Sequence, residues 1–155
     1  MVSGASPVIP SAVSQSSTFD RDSQLYQAER AIDDDVSTFS HTECAWNTAL
    51  WYKMKFGAVY CFSDVVIINS HFNENSPRMD DMQVLVVNAG KRTESLCGVL
   101  KVGDALTMEG QTYRIPCNLK CGDEVKLTLR HDSGKYAMLA CIHMMEITLF
   151  HTGSF

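Results

Sequence analysis

The feature that most constrains the fold is the stretch 31–56 (AIDDDVSTFSHTECAWNTALWYKMKF), in which an oxygen-rich loop leads into an alternating apolar run. Alternation with a period of two predicts a half-buried β-strand over residues 51–56. One side of that strand would carry the apolar residues Tyr52, Met54 and Phe56, and the other would carry Trp51, Lys53 and Lys55. The stretch therefore predicts a polar loop joined directly to a core strand.

Further short apolar runs follow, and they predict more strands of the same sheet structure. Residues 24–32 are the one short helix candidate, and residues 57–63 read as a turn. Short strands with turn residues between them predict an all-β sandwich rather than an α/β fold. We expect one domain over 12–151, preceded by a flexible leader over 1–11. The predicted later strands are 64–70, 82–88, 97–102, 111–117, 125–130 and 136–150, the last of these as two strands or one bent strand.

Composition excludes several classes of function. The net charge of -5 argues against a nucleic-acid partner, which would need a basic face. No apolar run approaches the roughly 18 residues of a membrane span, so membrane insertion is not expected. No esterase, zinc-protease or phosphate-binding motif is present, and an enzyme is therefore not expected.

Six cysteines bear on the compartment of the protein. The even count and the lack of a zinc-binding spacing favour disulfides, although free thiols remain an alternative. No signal peptide is visible after Met1, so the chain is either cytosolic or a mature sequence with an added Met. The cysteines favour the second interpretation, and we expect a secreted or extracellular protein.

Two loops are candidate binding sites. Asp33, Asp35 and Glu43 group hard oxygen ligands of the kind that Ca²⁺ prefers, although a solvated acidic turn would have the same composition. The loop after the predicted buried strand contains His71, Asn73 and Arg78. Its donors and acceptors could bind sugar hydroxyls, with an aromatic residue as an apolar wall, or could belong to a plain surface loop.

Several short motifs, taken in order, resemble the F-type lectins (fucolectins), whose fold is the discoidin-like β-jelly roll. The resemblance runs over most of the chain and implies a single jelly-roll β-sandwich with a carbohydrate-binding, non-enzymatic function. Its motifs are 12–17 (AVSQSS), 30–35 (RAIDDD), 39–44 (FSHTEC), 51–56 (WYKMKF), 65–69 (VVIIN) and 144–149 (MMEITL).

The resemblance also implies a structural calcium ion, because the family binds one between the acidic loop and the closing strand. By position, the ligands here would be the carbonyl oxygens of two residues and the carboxylates of four others. These six residues are Arg30, Asp33, Asp35, Glu43, Met145 and Glu146.

The sugar-binding residues of the family are only partly kept. The family binds fucose through a histidine and two arginines. The histidine position falls near Trp46 in this chain, and one of the arginines is kept as Arg78. The family's adjacent cysteine pair, which walls the apolar side of the sugar, is absent. The resemblance therefore implies fucose or another glycan, bound in loops at one end of the sandwich. The residues expected there are His41, Trp46, His71, Asn73 and Arg78.

The resemblance implies one disulfide, Cys97–Cys117, which matches the family's internal bridge. The other four cysteines allow three pairings, of which Cys44–Cys141 with Cys61–Cys121 is favoured. The alternative to a lectin is a protein–protein adhesion or receptor-recognition module on the same fold. Oligomers or tandem domains are expected if single sites bind weakly.

Overall fold

The structure, a computed structural model, describes residues 4–21, 24–69, 77–101 and 112–154. Within these ranges the chain forms eight β-strands and three short 3₁₀ helices, Phe19–Arg21, Ala28–Ala31 and Pro77–Met79. The strands are β1 (Ser6–Val8), β2 (Ala12–Gln15), β3 (Ser40–His41), β4 (Leu50–Asn69), β5 (Met82–Asn88), β6 (Thr93–Leu100), β7 (Thr112–Leu129) and β8 (His143–Ser154).

Two long strands, β4 and β7, build the sandwich by passing from one layer to the other. The strands pair antiparallel in the order β1-β8-β4-β7-β5-β6, with β2 added to β4 and β3 to β8. The first half of β4 pairs with β2 and with the end of β7, which in turn pairs with β5. Its second half pairs with the start of β7 and with β8. Both layers therefore share one set of inward-facing side chains, and the predicted jelly-roll sandwich is confirmed.

The predicted alternation in β4 sets the register of the core. Tyr52 and Met54 are fully buried and lie opposite Leu127 and Val125 of β7. The hydroxyl of Tyr52 would be an unpaired buried donor, but it donates to the carbonyl oxygen of Ala28 at 2.7 Å. This bond fastens the polar loop to the core strand that follows it.

Two local predictions were wrong. The turn expected at 57–63 is the middle of β4, where the register shifts between Lys55 and Tyr60 and again between Phe62 and Asp64. Such bulges bend a strand without ending it, so the chain changes layer while staying in the sheet. In place of the helix expected at 24–32, the structure has only the 3₁₀ helix Ala28–Ala31. The N–H of Ile32 donates to the carbonyl oxygen of Glu29, three residues earlier, which is the hydrogen bond of a 3₁₀ helix.

The first described residues take part in the sheet. Ser6–Val8, within the stretch expected to be a flexible leader, forms β1 and pairs with β8. Its residues are largely exposed, as expected for a short edge strand. The domain boundary at residue 12 stays a prediction.

Three disulfides connect the layers and loops: Cys44–Cys141, Cys61–Cys121 and Cys97–Cys117. The first joins the loops before β4 and β8, the second lies across β4 and β7, and the third joins β6 to β7. Three disulfides fit an extracellular location. In the described residues no helix has the length and apolarity that crossing a membrane would require.

Candidate functional site

The acidic loop and strand β8 meet, as the resemblance implies. The backbone N–H of Asp34 donates to the carboxylate of Glu146, and the charge of Asp33 acts on the same carboxylate. Asp33 is held in place by Thr38, whose hydroxyl donates to Asp33 Oδ2 at 2.6 Å. Asp34 adopts a positive φ of 57°, which turns the loop toward β8. Residues far apart in sequence are thus brought to one acidic position.

The surroundings of Glu146 disfavour the charged form of its carboxyl group. Burial, followed by the negative charges of Asp33 and Asp34, raises the pKa of Glu146 to about 7. In the described part of the chain its Oε2 is buried and has no hydrogen-bond partner. A buried carboxylate oxygen beside other carboxylates is stabilised by a bound cation, so this position fits a calcium ion.

The backbone of Met145 is also suited to the predicted role. In the pairing of β4 with β8, Ile68 faces Glu146 and Asn69 faces Met144, so Met145 is the extra residue of a bulge. A bulged residue leaves its strand-pairing pattern, which frees its carbonyl for another partner. The carbonyl oxygen of Arg30 lies 3.5 Å from Thr38 Oγ1, a long distance for a hydrogen bond.

The other two predicted calcium ligands are less well placed. Asp35 Oδ1 accepts hydrogen bonds from the backbone and hydroxyl of Ser37, and these bonds lower the pKa of Asp35. Glu43 is exposed, and its backbone N–H donates to Ser17. Among the described residues no group of three or more His, Cys, Asp or Glu side chains is placed to hold a metal. A cation here would rest on Asp33, Glu146 and carbonyl oxygens, a smaller side-chain set than the resemblance implies.

Arg78 lies against the disulfide between Cys44 and Cys141. Its Nη1 is 3.5 Å from Cys44 Sγ and 3.7 Å from Cys141 Sγ. The carbonyl oxygen of Arg78 accepts a hydrogen bond from the backbone N–H of Cys141 at 3.1 Å. The guanidinium is therefore fixed beside an apolar sulfur surface. The sequence did not predict this sulfur surface beside Arg78. The family's apolar surface comes from an adjacent cysteine pair, whereas here the two cysteines are far apart in sequence.

His41 does not lie in an open loop, and its prediction as a ligand contact needs correction. The side chain is 3% exposed and packs among Phe19, Tyr26, Phe39 and His143. Burial lowers the pKa of His41 below its usual value. The difference arises because His41 belongs to β3, which pairs with β8, and its ring is covered by aromatic neighbours.

The remaining predicted sugar residues divide into two groups. Trp46 is half-buried. It follows Cys44 by two residues in the chain, so its backbone lies near the Cys44–Cys141 disulfide, against which Arg78 packs. The next residue, Asn47, exchanges two hydrogen bonds with Ser133, at 3.2 and 2.9 Å, which anchors this loop to the loop before β8. His71 and Asn73 lie outside the described residues.

Comparison with known proteins shows similarity to solved structures only. No protein-family model and no curated protein sequence matches the chain. A fucolectin from the serum of striped bass (Morone saxatilis) is similar in structure, with a TM-score of 0.71 and 16% identity over 93% of this chain and 46% of that chain. The chain thus spans about half the length of that lectin.

Two further solved structures match over nearly their whole length. The family 32 carbohydrate-binding module of C. perfringens NanJ, in complex with galactose, has a TM-score of 0.69 and 16% identity, over 95% of this chain and 99% of that chain. An F5/8 type C domain from Bacteroides fragilis has a TM-score of 0.75 and 16% identity, over 97% and 99%. Identities this low show the fold alone. The chain therefore has the discoidin-like jelly-roll fold that F-type lectins share, as its sequence motifs predict.

Proposed function

We propose that this chain is a secreted, non-enzymatic recognition domain that binds a carbohydrate and is stabilised by Ca²⁺. The observation that carries the proposal is Arg78, a half-buried guanidinium fixed against the Cys44–Cys141 disulfide. A sugar offers hydroxyl groups to a multi-donor fork and C–H groups to an apolar wall, and this position supplies both. The similar structures, which include a module in complex with galactose, support the ligand class.

The test of the sugar site is a glycan array probed with the wild type and with Arg78→Ala. Losing a charged hydrogen-bond partner costs about 1.5–3 kcal/mol, so weak binding should fall below detection. Arg92→Ala is the matched control, because Arg92 is exposed in the turn between β5 and β6. A blank array with the wild type would overturn the proposal, and normal binding by Arg78→Ala would move the site elsewhere.

The test of the calcium ion is thermal unfolding with and without a chelator. An ion that binds only the folded state raises its stability by mass action, so chelation should lower Tm. Glu146→Gln should remove that response, because the amide loses the charge that the ion would neutralise. An unchanged Tm of the wild type after chelation, with no metal found by elemental analysis, would contradict the calcium proposal alone.

The second candidate function is a protein–protein adhesion or receptor-recognition module. An open apolar cavity of about 630 Å³ lies where β4 and β7 change layer, beside the Cys61–Cys121 disulfide. Val59 and Leu119 on its edge are 37% and 50% exposed. Exposed apolar groups of this kind favour a protein contact. A blank array together with partner binding that Leu119→Ser abolishes would favour this candidate.

A further inference from the structure

A second cavity lies at the end of the sandwich where β5 begins and where β6 and β7 end. It has a volume of about 520 Å³, within the range of small-molecule sites, roughly 300–1,000 Å³. Its polar lining, here called the β5–β7 groove, consists of Asp81, Gln83, Lys101, Thr128, Arg130 and Tyr136. None of these residues belongs to the sugar site predicted from the sequence.

Tyr136 gives the groove an aromatic wall that is held rigidly. Its ring stacks on the ring of His131, with centroids 4.1 Å apart and planes 6° from parallel. His131 is only 1% exposed, and its two ring nitrogens lie 3.0 Å and 2.8 Å from the carbonyl oxygens of Met138 and Asp80. The histidine ring is therefore fixed on both sides, and it fixes the position of the tyrosine ring above it.

Asp81 gives the same groove a fixed set of hydrogen-bonding groups. Tyr136 donates its hydroxyl to Asp81 Oδ2 at 2.7 Å, and the Lys101 ammonium pairs with Oδ1. The bond from Lys101 has the largest effect on the pKa of Asp81, and both bonds lower it. The carboxylate of Asp81 is therefore charged at neutral pH. The side chains of Lys101 and Asp81 are 54% and 28% exposed, so both still reach solvent.

The loop that carries Tyr136 is anchored before any ligand arrives. Asn47 bonds reciprocally with Ser133, and the backbone N–H of Asn47 donates to the carbonyl oxygen of His131 at 2.9 Å. The backbone N–H of Tyr136 donates to Asp132. A site organised in this way loses little conformational freedom on binding, which favours a small ligand.

The charges of the groove select the class of ligand. Its two cations are already paired, Lys101 with Asp81 and Arg130 with Asp132 at 2.8 Å. An anionic ligand would meet the Asp81 carboxylate without an uncommitted cation to offset the repulsion. A neutral ligand rich in hydroxyls can donate to the carboxylate, accept from the ammonium and amide, and lay a C–H face on Tyr136.

We propose that the β5–β7 groove is a second sugar-binding position that takes one neutral pyranose unit of a glycan. Tyr136 is the platform for the C–H face of the ring, Asp81 accepts bonds from ring hydroxyls, and Lys101 with Gln83 donates to them. The proposal rests on the proposed function for its ligand class, and it adds a site that Arg78 does not line.

The experiment is an NMR titration of the ¹⁵N-labelled wild type with the methyl glycosides of galactose, glucose, mannose and N-acetylglucosamine. At least one should give saturable shifts of the amides of Asp81, Lys101 and Tyr136. Tyr136→Ala and Asp81→Asn should each weaken that binding about tenfold or more, since a charged partner or the platform is lost. Arg78→Ala should leave it unchanged. Tyr60→Ala is the control, because Tyr60 also packs on a histidine ring, His151, outside this groove.

Each outcome separates this site from the one at Arg78. Shifts confined to the residues around Arg78 and the Cys44–Cys141 disulfide would leave the proposed function standing and overturn the second position. No shift with any of the four glycosides would overturn the second position, while the array decides the proposed function. Saturable groove shifts with a methyl sialoside alone would overturn the neutral ligand class. If Tyr136→Ala does not fold, the test uses Asp81→Asn and Tyr136→Phe, because both variants keep an aromatic ring at position 136. The change in glycoside affinity of these two variants then decides whether the groove binds the sugar.

Discussion

At the scale of single residues, the two buried histidines carry the clearest electrostatic consequence. His143 is 3% exposed in β8, and its ring centroid lies 5.5 Å from that of His41. Burial first, then His41 and Arg78, lower the pKa of His143 to about 3. At neutral pH both rings are therefore neutral, and together with Phe39 they form one packed group of rings.

This pKa shift predicts that His143 contributes a loss of stability in acid, opposed in part by Glu146, whose raised pKa favours the folded state as pH falls. Between the ordinary histidine pKa, about 6.5, and the folded value of about 3, the unfolded chain binds a proton that folded His143 does not bind. The contribution of His143 to the free energy of unfolding should therefore fall as pH drops through this window. In His143→Gln, the difference in urea-derived stability between about pH 7.5 and about pH 5 should shrink. A difference equal to that of the wild type would show that other groups cause the acid sensitivity.

At the scale of elements, the bend of β7 against β5 depends on one glycine. A Cβ added at Gly122 would lie 2.7 Å from Val86 Cγ1 and closer still to the carbonyl oxygen of Val87. Gly122→Ala should therefore push β5 and β7 apart and lower the free energy of unfolding by about 1–3 kcal/mol, as overpacking does. Gly57→Ala is the control, since nothing lies within 4 Å of its added Cβ. Equal stability of the two variants in urea would contradict this packing.

The edge strand β6 is tied to the layer by Cys97–Cys117, which closes a loop with a sequence separation of 20. Removing such a cross-link frees the unfolded chain and should cost about 3 kcal/mol in the chain-entropy model. The Cys97→Ser, Cys117→Ser double variant should show that loss in urea unfolding. Mass mapping of an unreduced digest checks the pairing in the wild type. A free thiol at either position, or no loss of stability, would contradict it.

The elements also show what local sequence can predict. Alternation at 51–56 and 125–130 predicted the strands and their inward faces, because in a strand every second side chain points to the same face of the sheet. The residues between those runs were harder to interpret. Gly57 favours a turn locally, yet the chain bends through bulges and stays in β4, because pairing with β7 and β8 outweighs the local preference. A bulged bend inside a strand and a turn between two strands have nearly the same amino-acid composition.

At the scale of the whole molecule, sequence predicts a site when its segments carry motifs of a known pattern, even where those segments are far apart in the chain. The acidic loop and Glu146 were predicted to meet because their motifs resemble such a pattern, and the calcium ion between them stays a prediction. The β5–β7 groove was not found, because its lining comes from positions without such a motif, among them Asp81, Lys101 and Tyr136. Each of these residues reads alone as an ordinary surface residue. His41 was misplaced for the opposite reason, since a polar loop gave no sign that aromatic rings would cover it.

The pairing of β1 with β8 has a mechanical consequence. Ser6 faces His151 and Val8 faces Leu149, so both ends of the described chain leave the sandwich at the same end of one antiparallel ladder. Opposed pulls on the two ends would load its hydrogen bonds one at a time, which is the weak direction for a ladder. In single-molecule stretching we expect early opening at low force. A high-force peak before any extension would contradict it.

The disulfide Cys44–Cys141 sets where that opening must stop, because the chain between the two cysteines cannot lengthen while the bond is intact. Extension under oxidising conditions should be limited to residues outside the bond, and a reductant should release the rest. A domain built this way can yield at its ends while the loops around Arg78 keep their shape. If a ligand is bound at the proposed sugar site, the residues outside Cys44–Cys141 would extend under tension before the loops around Arg78 are deformed.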